Sequence, residues 1–581
     1  MLEDTSWHAK MLAAPELATG DELLARGRAE AQSIKLGTNA FLRDKRVASE
    51  TEYKRRLTSE GRMMQHAHIG FRDVGRTVDA MREVHDTCAA TGVRIDRFGI
   101  TLDWSMGYPA EAREGKPNGT GIILSSPEDF GQITNAVPVA THFGDFMLGF
   151  PGSLENARGA IAAGATSLGN LGQYFTFRMP YWPDDISPTE ATVQAMGLIV
   201  EQEAEILIHS NLDDGFAGMF VDTACGLGMA IVEKYIIETL IGGKLAHCFG
   251  NHFSDPVTRM AFHGALTRVN DTPGTMIYGN TVSYQSKGEV NYASLATYLL
   301  PDILSLRRWK SGHAINPVPV TENERIPDTD EIIAAQQFAA RLTELAEPYE
   351  RLTNWDEVDA LSDRLVEGGQ AFADNMLSGL ADWGVDCQDP AALMLAVRRM
   401  GARRLEDTFG PGEPGVKRRP LVHAEWALEL ERKAEIWVAG QGGANPAYAG
   451  LTVCIASSDV HEHGKHYVAR ALEGLGLTVV DAGASTDAED LVACALETGA
   501  DILAISTYNG VALDYTRRTM AALEAARSDL PVIVGGRLNQ IGTQSNSGLP
   551  VDVSEEIDAA GALACDSLDM VLPLLDRLSD G

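Results

Sequence analysis

Positive charge is scarce in this chain. Lys and Arg number 48 against 81 Asp and Glu, which leaves a formal net charge of −33. Nucleic acids select for a basic footprint, so a nucleic-acid partner is excluded. The acidic excess reads instead as a solubility feature. Cysteine is scarce too. The seven that occur (Cys88, Cys225, Cys248, Cys387, Cys454, Cys494 and Cys565) are scattered and form no CxxC pair. That excludes a disulfide framework, a zinc finger and an iron–sulfur motif, including the three-cysteine cluster of S-adenosylmethionine radical chemistry. Long apolar runs are missing. No stretch reaches the roughly 18 residues that a membrane helix needs, and no signal peptide is visible. The expectation is a cytoplasmic protein with no membrane partner. With 45% hydrophobic residues over 581 positions, the composition is globular and the length exceeds one core. About two to four domains are expected.

What is present centres on Asp459-Val-His461-Glu-His-Gly464. An apolar, strand-length run (451–456) precedes it. Helical spacing from 467 to 475 follows, then a second apolar run at 477–481. The motif therefore sits on a strand-to-helix loop at the carboxyl end of a parallel strand, where open α/β sheets bind ligands. An aspartate two residues before a histidine can set its tautomer and leave the other ring nitrogen for a metal. Two later strand ends share the pattern. Ser506-Thr-Tyr508 closes the run 502–506, with 41 residues (465–505) after Gly464. Gly535-Gly536 closes 531–535, with 26 residues (509–534) after Tyr508. Taken without that order, the loop fits a flavodoxin-like domain whose histidine binds nothing.

The three elements in this order resemble the cobalamin-binding domain of B12-dependent mutases and methyltransferases, whose pattern is DxHxxG, SxL and GG. Tyr508 departs from it, standing where leucine is usual. The resemblance implies that His461 replaces the nucleotide base beneath cobalt. It implies that Asp459, Gly464, Ser506, Thr507, Gly535 and Gly536 contact the cofactor, with the serine and the glycine pair lining a slot for the displaced nucleotide tail. His463 and His466 read as bystanders.

Upstream, strands and helices alternate from residue 62 to about 330, which suggests a (β/α)8 TIM barrel. Expected strands lie at 66–70, 97–102, 146–150, 166–168, 218–220, 245–249 and 275–278. Expected helices lie at 74–90, 154–163, 188–211 and 228–240. The stretch 155–167, Gly172 and Phe177-Arg-Met-Pro-Tyr181 resemble the barrel subunit of glutamate mutase, as does the late segment 311–322. That family grips its substrate carboxylates with three arginines and the ammonium with a glutamate. Here the aligned positions hold His68, Gly107 and Leu148 or Gly149, and then Gly169 or Asn170. Glycine cannot replace a bidentate arginine, so glutamate is not the expected substrate.

The chain thus resembles the adenosylcobalamin-dependent carbon-skeleton mutases, glutamate mutase and 2-methyleneglutarate mutase, with barrel and B12-binding domain fused; the resemblance implies a radical mutase, an isomerase, acting on a small organic acid other than glutamate. A homodimer and a reactivating chaperone are its implied partners, and a corrinoid methyltransferase is the alternative. Candidate catalytic residues are His68, Asn170, Arg178 and Tyr181. Arg178 is chosen because a merely surface arginine would be odd inside the aromatic loop 174–182. Asp213-Asp214 reads as a solvated pair, and His247-Cys248 and His252 lack metal-ligand spacing. Expected divisions are a helical N-terminal extension (1–61) packed on the surface, the barrel (62–330), a helical connector and glycine-rich linker (331–446), and a Rossmann-like, flavodoxin-type B12-binding domain (447–581).

Overall fold

A computed structural model describes residues 12–579, apart from 115, 117, 118, 120, 181, 183, 413–419, 460, 461, 509 and 541–550. Tyr181 and His461 therefore lie outside the described residues. The chain forms two compact units. One holds the residues up to Phe175 and Pro183–Ala424, the other Thr176–Trp182 and Glu425–Gly581. Among the described residues no helix is long and apolar enough to cross a membrane.

The first unit is built on a curled, wholly parallel sheet. Its strands are β1 (Met64–Ile69), β2 (Arg97–Ile100), β3 (Ala140–Phe143), β4 (Ser167–Leu168), β5 (Leu207–Asn211), β6 (Lys244–Cys248) and β7 (Ala314–Ile315). Their order is β6-β5-β4-β3-β2-β1-β7, so neighbours in sequence are neighbours in space. Between β6 and β7 the chain makes isolated parallel bridges at Ile277, to Phe249 on one side and to Ile315 on the other. The Ile277 amide donates to Ala314 O at 2.6 Å and the Tyr278 amide to Phe249 O at 2.7 Å.

The register explains why several strands are hard to see. His66 faces Arg97, and His68 faces Gly99, which faces His142. Side chains two apart share a face. One face of β1–β3 is thus polar and nonetheless buried. Gly99 makes room for the rings, since a Cβ there would lie 2.7 Å from His66 Nε2 and His68 Cδ2. The expected helix 188–211 ends early. The helix runs Ile186–Val200, and β5 follows after an acidic turn. The expected strand 146–150 is a turn, with β3 lying before it, and 218–220 is no strand either, beginning inside a 3-10 turn at Phe216–Gly218.

The N-terminal segment is not a surface extension. The helix Gly20–Glu30 meets the helix Ile186–Val200 at backbone distance. A Cβ on Gly27 would fall 1.9 Å from Gln194 O, and one on Gly197 would fall 2.5 Å from Leu24 O. The helix Glu50–Ser59, capped by Ser49, inserts Glu50 and Lys54 into the unit's interior. Glu50 Oε1 accepts from Arg97 Nε at 2.8 Å and lies 3.3 Å from Lys54 Nζ. Lys54 also donates to Gly274 O. Burial would raise the Glu50 carboxyl, but Arg97 and Lys54 together hold it below its ordinary value. Burial depresses Lys54 to about 8, against the pull of Glu50.

The second unit carries a five-stranded parallel sheet: β8 (Thr452–Ser457), β9 (Thr478–Gly483), β10 (Ile502–Thr507), β11 (Val532–Gly536) and β14 (Leu563–Cys565). A small antiparallel pair, β12 (Asn539–Gln540) and β13 (Val551–Asp552), lies apart. The order β14-β11-β10-β8-β9 is that of flavodoxin-like sheets, with the switch point between β8 and β10. Alternate residues feed two cores. Cys454, Leu503, Ile505 and Val534 pack on one face; Val453, Ile455, Ile502 and Ile533 pack on the other. Strands buried on both faces read as continuous apolar runs, which is why these are plain in the sequence.

Candidate functional site: a cofactor seat at the switch point

Asp459 follows β8 and is 2% exposed. Its Oδ2 accepts the Tyr508 amide at 2.9 Å, and its carbonyl accepts the Ser485 amide at 3.1 Å. The Ser458 amide donates to Ser506 O at 2.9 Å. The loops after β8, β9 and β10 are thereby laced together. The helix Glu462–Leu475 then starts, and its Lys465 is buried between Glu462 Oε1 (3.0 Å) and Asp481 Oδ1 (2.6 Å).

The glycines at this edge differ in what surrounds them. A Cβ on Gly464 would sit 2.8 Å from Ser506 Oγ, so the serine hydroxyl lies against bare backbone. Gly536 has φ +99, and a Cβ there would meet Thr507 O at 2.2 Å; the turn requires glycine. Gly535 is roomier, its nearest neighbour for a Cβ being Cys565 O at 3.6 Å. The buried hydroxyls of Ser458, Ser485 and Thr507 have no hydrogen-bond partner among the described residues. Buried polar groups are normally paired, so three orphans at adjoining strand ends mark a place where a polar ligand fits. Nearby, the Arg537 guanidinium lies over the Tyr508 ring, 4.2 Å from its centroid. Trp426, on the helix Glu425–Gly440, stacks on His463 at 4.5 Å and meets His466 edge-on.

Arg178 is exposed and falls in this second unit. Its charge acts on Asp487, whose carboxyl burial and the neighbouring Asp490 and Glu489 push up to about 6 against that pull.

In the first unit a second group gathers at strand ends. His68 lies between His66 (ring centroids 4.6 Å apart) and Tyr278 (5.5 Å), with Asn316 Nδ2 at 3.5 Å from its Nδ1. Burial, then Arg97, lowers it to about 3, so it is a neutral imidazole. Asn170 Oδ1 accepts the amides of Gly172 (3.0 Å) and Asn211 (2.9 Å), and its Nδ2 donates to Asp214 at 2.6 Å. Asp213 is buried and Asp214 half-buried, so the pair is not freely solvated. Burial, with Asp145 and Asp213 adding repulsion, raises Asp214 well above its ordinary value. The Tyr278 phenol is raised by burial and then by Glu322, Asp145 and Asp214. Sequence reading missed Asp145, Tyr278, Asn316 and Glu322. Gly144-Asp145 directly after β3 was the available signal. Tyr278 follows a single bridge residue and gave none.

Sheet order and loop chemistry together define a flavodoxin-like cofactor-binding domain seated on its switch point. More particularly, residues 451–555 match the family model for the B12 binding domain. The 2-hydroxyisobutanoyl-CoA mutase small subunit of Aquincola tertiaricarbonis is 35% identical over 79 residues, 13% of this chain and 58% of that protein. The matched region thus spans little more than half of that relative. Among solved structures, a cobalamin-binding protein from Desulfitobacterium hafniense is 25% identical, with a TM-score of 0.21, over 27% of this chain and 71% of that one. The methanol:cobalamin methyltransferase complex from Methanosarcina barkeri is 15% identical, with a TM-score of 0.20, over 53% and 95%. The orphaned hydroxyls and the bare backbone at Gly464 fit a cobalamin at this edge.

Proposed function

We propose that the chain is an adenosylcobalamin-dependent mutase that rearranges the carbon skeleton of a small organic acid other than glutamate. The observation that carries the reading is the convergence of Asp459, Gly464, Ser506 and Gly536 on one switch point, in a region 35% identical to a mutase small subunit. When bound, the cofactor supplies a carbon radical by homolysis of its cobalt–carbon bond. Asp459 holds the loop that carries His461, the proposed cobalt ligand. Ser506, Thr507, Gly535 and Gly536 are the proposed walls of the tail slot.

The reading takes the first unit as a (β/α)8 barrel, closed through Ile277; its bridges to both Phe249 and Ile315 support closure. Barrels collect catalytic groups at their strand ends. There His68 offers a neutral hydrogen bond, and Asp214, whose carboxyl is raised by burial and by Asp145 and Asp213, accepts from Asn170. Asn170 is a positioning residue for Asp214, because its amide is already committed. Arg178 and Tyr181 are proposed substrate contacts. The missing arginine clamp speaks against glutamate. A homodimer and a reactivating chaperone belong to the same proposal.

The second reading is a corrinoid methyltransferase. It is favoured by the helix Glu425–Gly440, whose Trp426 covers His463 as a helical cap on a cofactor domain would. Anaerobic incubation with tritiated candidate acids separates the two. The mutase reading expects label to pass into the 5′ carbon of adenosylcobalamin. Multiple turnovers supported by methylcobalamin alone would overturn it.

A further inference from the structure

We infer that Lys465 is a positioning residue for His461: by bridging Glu462 and Asp481 it ties the start of the helix Glu462–Leu475 to β9 and so fixes where the proposed cobalt ligand stands. The inference rests on the cobalamin reading above and deepens it. Lys465 stands where a lysine is locally unfavourable. It is in the first turn of a helix, whose dipole disfavours a cation there. Its side chain is 3% exposed, and a buried ammonium must be desolvated. Burial alone would lower it, but Glu462 and then Asp481 hold it above its ordinary value, so it stays charged. A neutral side chain of similar length would fill the space without either penalty. What the ammonium adds is a fixed point, because carboxylates from two different elements meet on it.

Lys465 Nζ donates to Glu462 Oε1 at 3.0 Å and to Asp481 Oδ1 at 2.6 Å. Asp481 Oδ1 also accepts the Gly483 amide at 2.9 Å. The pairing of β8 with β9 slips by one residue here, since Ile455 faces Asp481 but Ala456 faces Gly483. Such a slip re-aims the side chains beside it. Two residues further on, the Ser485 amide donates to Asp459 O at 3.1 Å. One short stretch, residues 481–485, therefore grips the chain on both sides of His461. Ser485 holds Asp459 before it. Asp481, through Lys465, holds the helix after it. Only residues 460 and 461 separate Asp459 from Glu462, so the span between the two anchors has little slack. Groups that orient a metal ligand set much of the affinity for the metal.

The test uses the full chain with Co(II) cobinamide, which lacks the phosphate, ribose and base and so brings no axial nitrogen of its own. Electron paramagnetic resonance gives the ratio of bound cobalt with nitrogen splitting to bound cobalt without it. Visible absorbance titration gives the dissociation constant. In Lys465→Met that ratio is expected to fall by about tenfold or more. Asp481→Asn should lower it in the same direction and by less, since the amide keeps an acceptor oxygen. Adding Asp481→Asn to Lys465→Met should cost nothing further, because both act through one bridge. Lys465→Arg keeps the charge and should recover part of the loss. If Lys465→Met does not fold, Asp481→Asn decides alone. An unchanged ratio overturns the inference. So does weaker cobinamide binding at the parent ratio, which is what a merely structural lysine would give. A parent protein whose bound cobalt shows no protein nitrogen overturns the ligand reading and this inference with it.

Discussion

The Tyr508 amide donates to Asp459 Oδ2 at 2.9 Å, joining the loop after β8 to the loop after β10 across the switch point. Asp459→Ala removes the acceptor and leaves that amide without its partner. A loss of about 1–3 kcal/mol in unfolding free energy is expected, together with at least about a tenfold loss of cobalamin affinity. Asp459→Asn keeps an acceptor oxygen and should keep most of the stability. Urea unfolding and absorbance titrations of both variants check this; an unchanged Asp459→Ala protein would count against the lacing role.

The two glycines of the pair should behave differently. Gly536→Ala places a Cβ 2.2 Å from Thr507 O at φ +99, so it should destabilise the protein by about 1–3 kcal/mol whether or not cofactor is added. Gly535→Ala has room within the protein. It should melt normally and weaken cobalamin more than cobinamide. If both variants lose stability alike, or both corrinoids lose affinity alike, Gly535 does not face a tail slot.

Glu50 neutralises two fully buried cations, Arg97 and Lys54. Glu50→Ala strands both, and a cost of about 3–5 kcal/mol is expected. Thermal unfolding should show a large drop in Tm. A Tm within a degree of the parent would contradict the buried-plug account.

The buried histidines set a pH dependence of stability. His263 is fully buried, and burial followed by Arg259 lowers it to about 3. His66, His142, His209 and His313 also lie well below the ordinary histidine value, burial being the largest cause in each. Their unfolded values lie near 6.5. The unfolded chain therefore binds more protons than the native one between about pH 6.5 and the native values. Stability from these groups is fully present above about pH 6.5 and is lost as pH falls, by up to about 1.4 kcal/mol per pH unit for each histidine. Chemical unfolding at pH 7.5 and 5.5 should show a marked loss at the lower pH. His263→Gln should reduce that slope.

The second unit was legible because its strands are buried on both faces, as Val453–Ala456 and Ile502–Ile505 illustrate. Its loop motifs stood out against that apolar background. The first unit was harder. Inward positions on β1, β2, β3 and β5 carry His66, His68, Arg97, His142 and His209, so the usual apolar alternation is inverted. That is why β5 was hidden inside an expected helix and β3 was displaced. Asp213 and Asp214 look solvated as a dipeptide; only the fold places Asp145 near them. The N-terminal plug was illegible for a similar reason. Nothing in the i, i+4 spacing of Glu50 and Lys54 announces that Arg97 supplies a third buried charge.

The most direct test of the account is the electron paramagnetic resonance spectrum of the Co(II) cofactor bound to protein labelled with 15N only in histidine. The account predicts that the nitrogen superhyperfine splitting changes from three lines in unlabelled protein to two in labelled protein. It also predicts that the splitting disappears, or cofactor binding is lost, in His461→Ala. A spectrum that keeps its three lines in the labelled protein, or its splitting in His461→Ala, would contradict cobalt ligation by this loop.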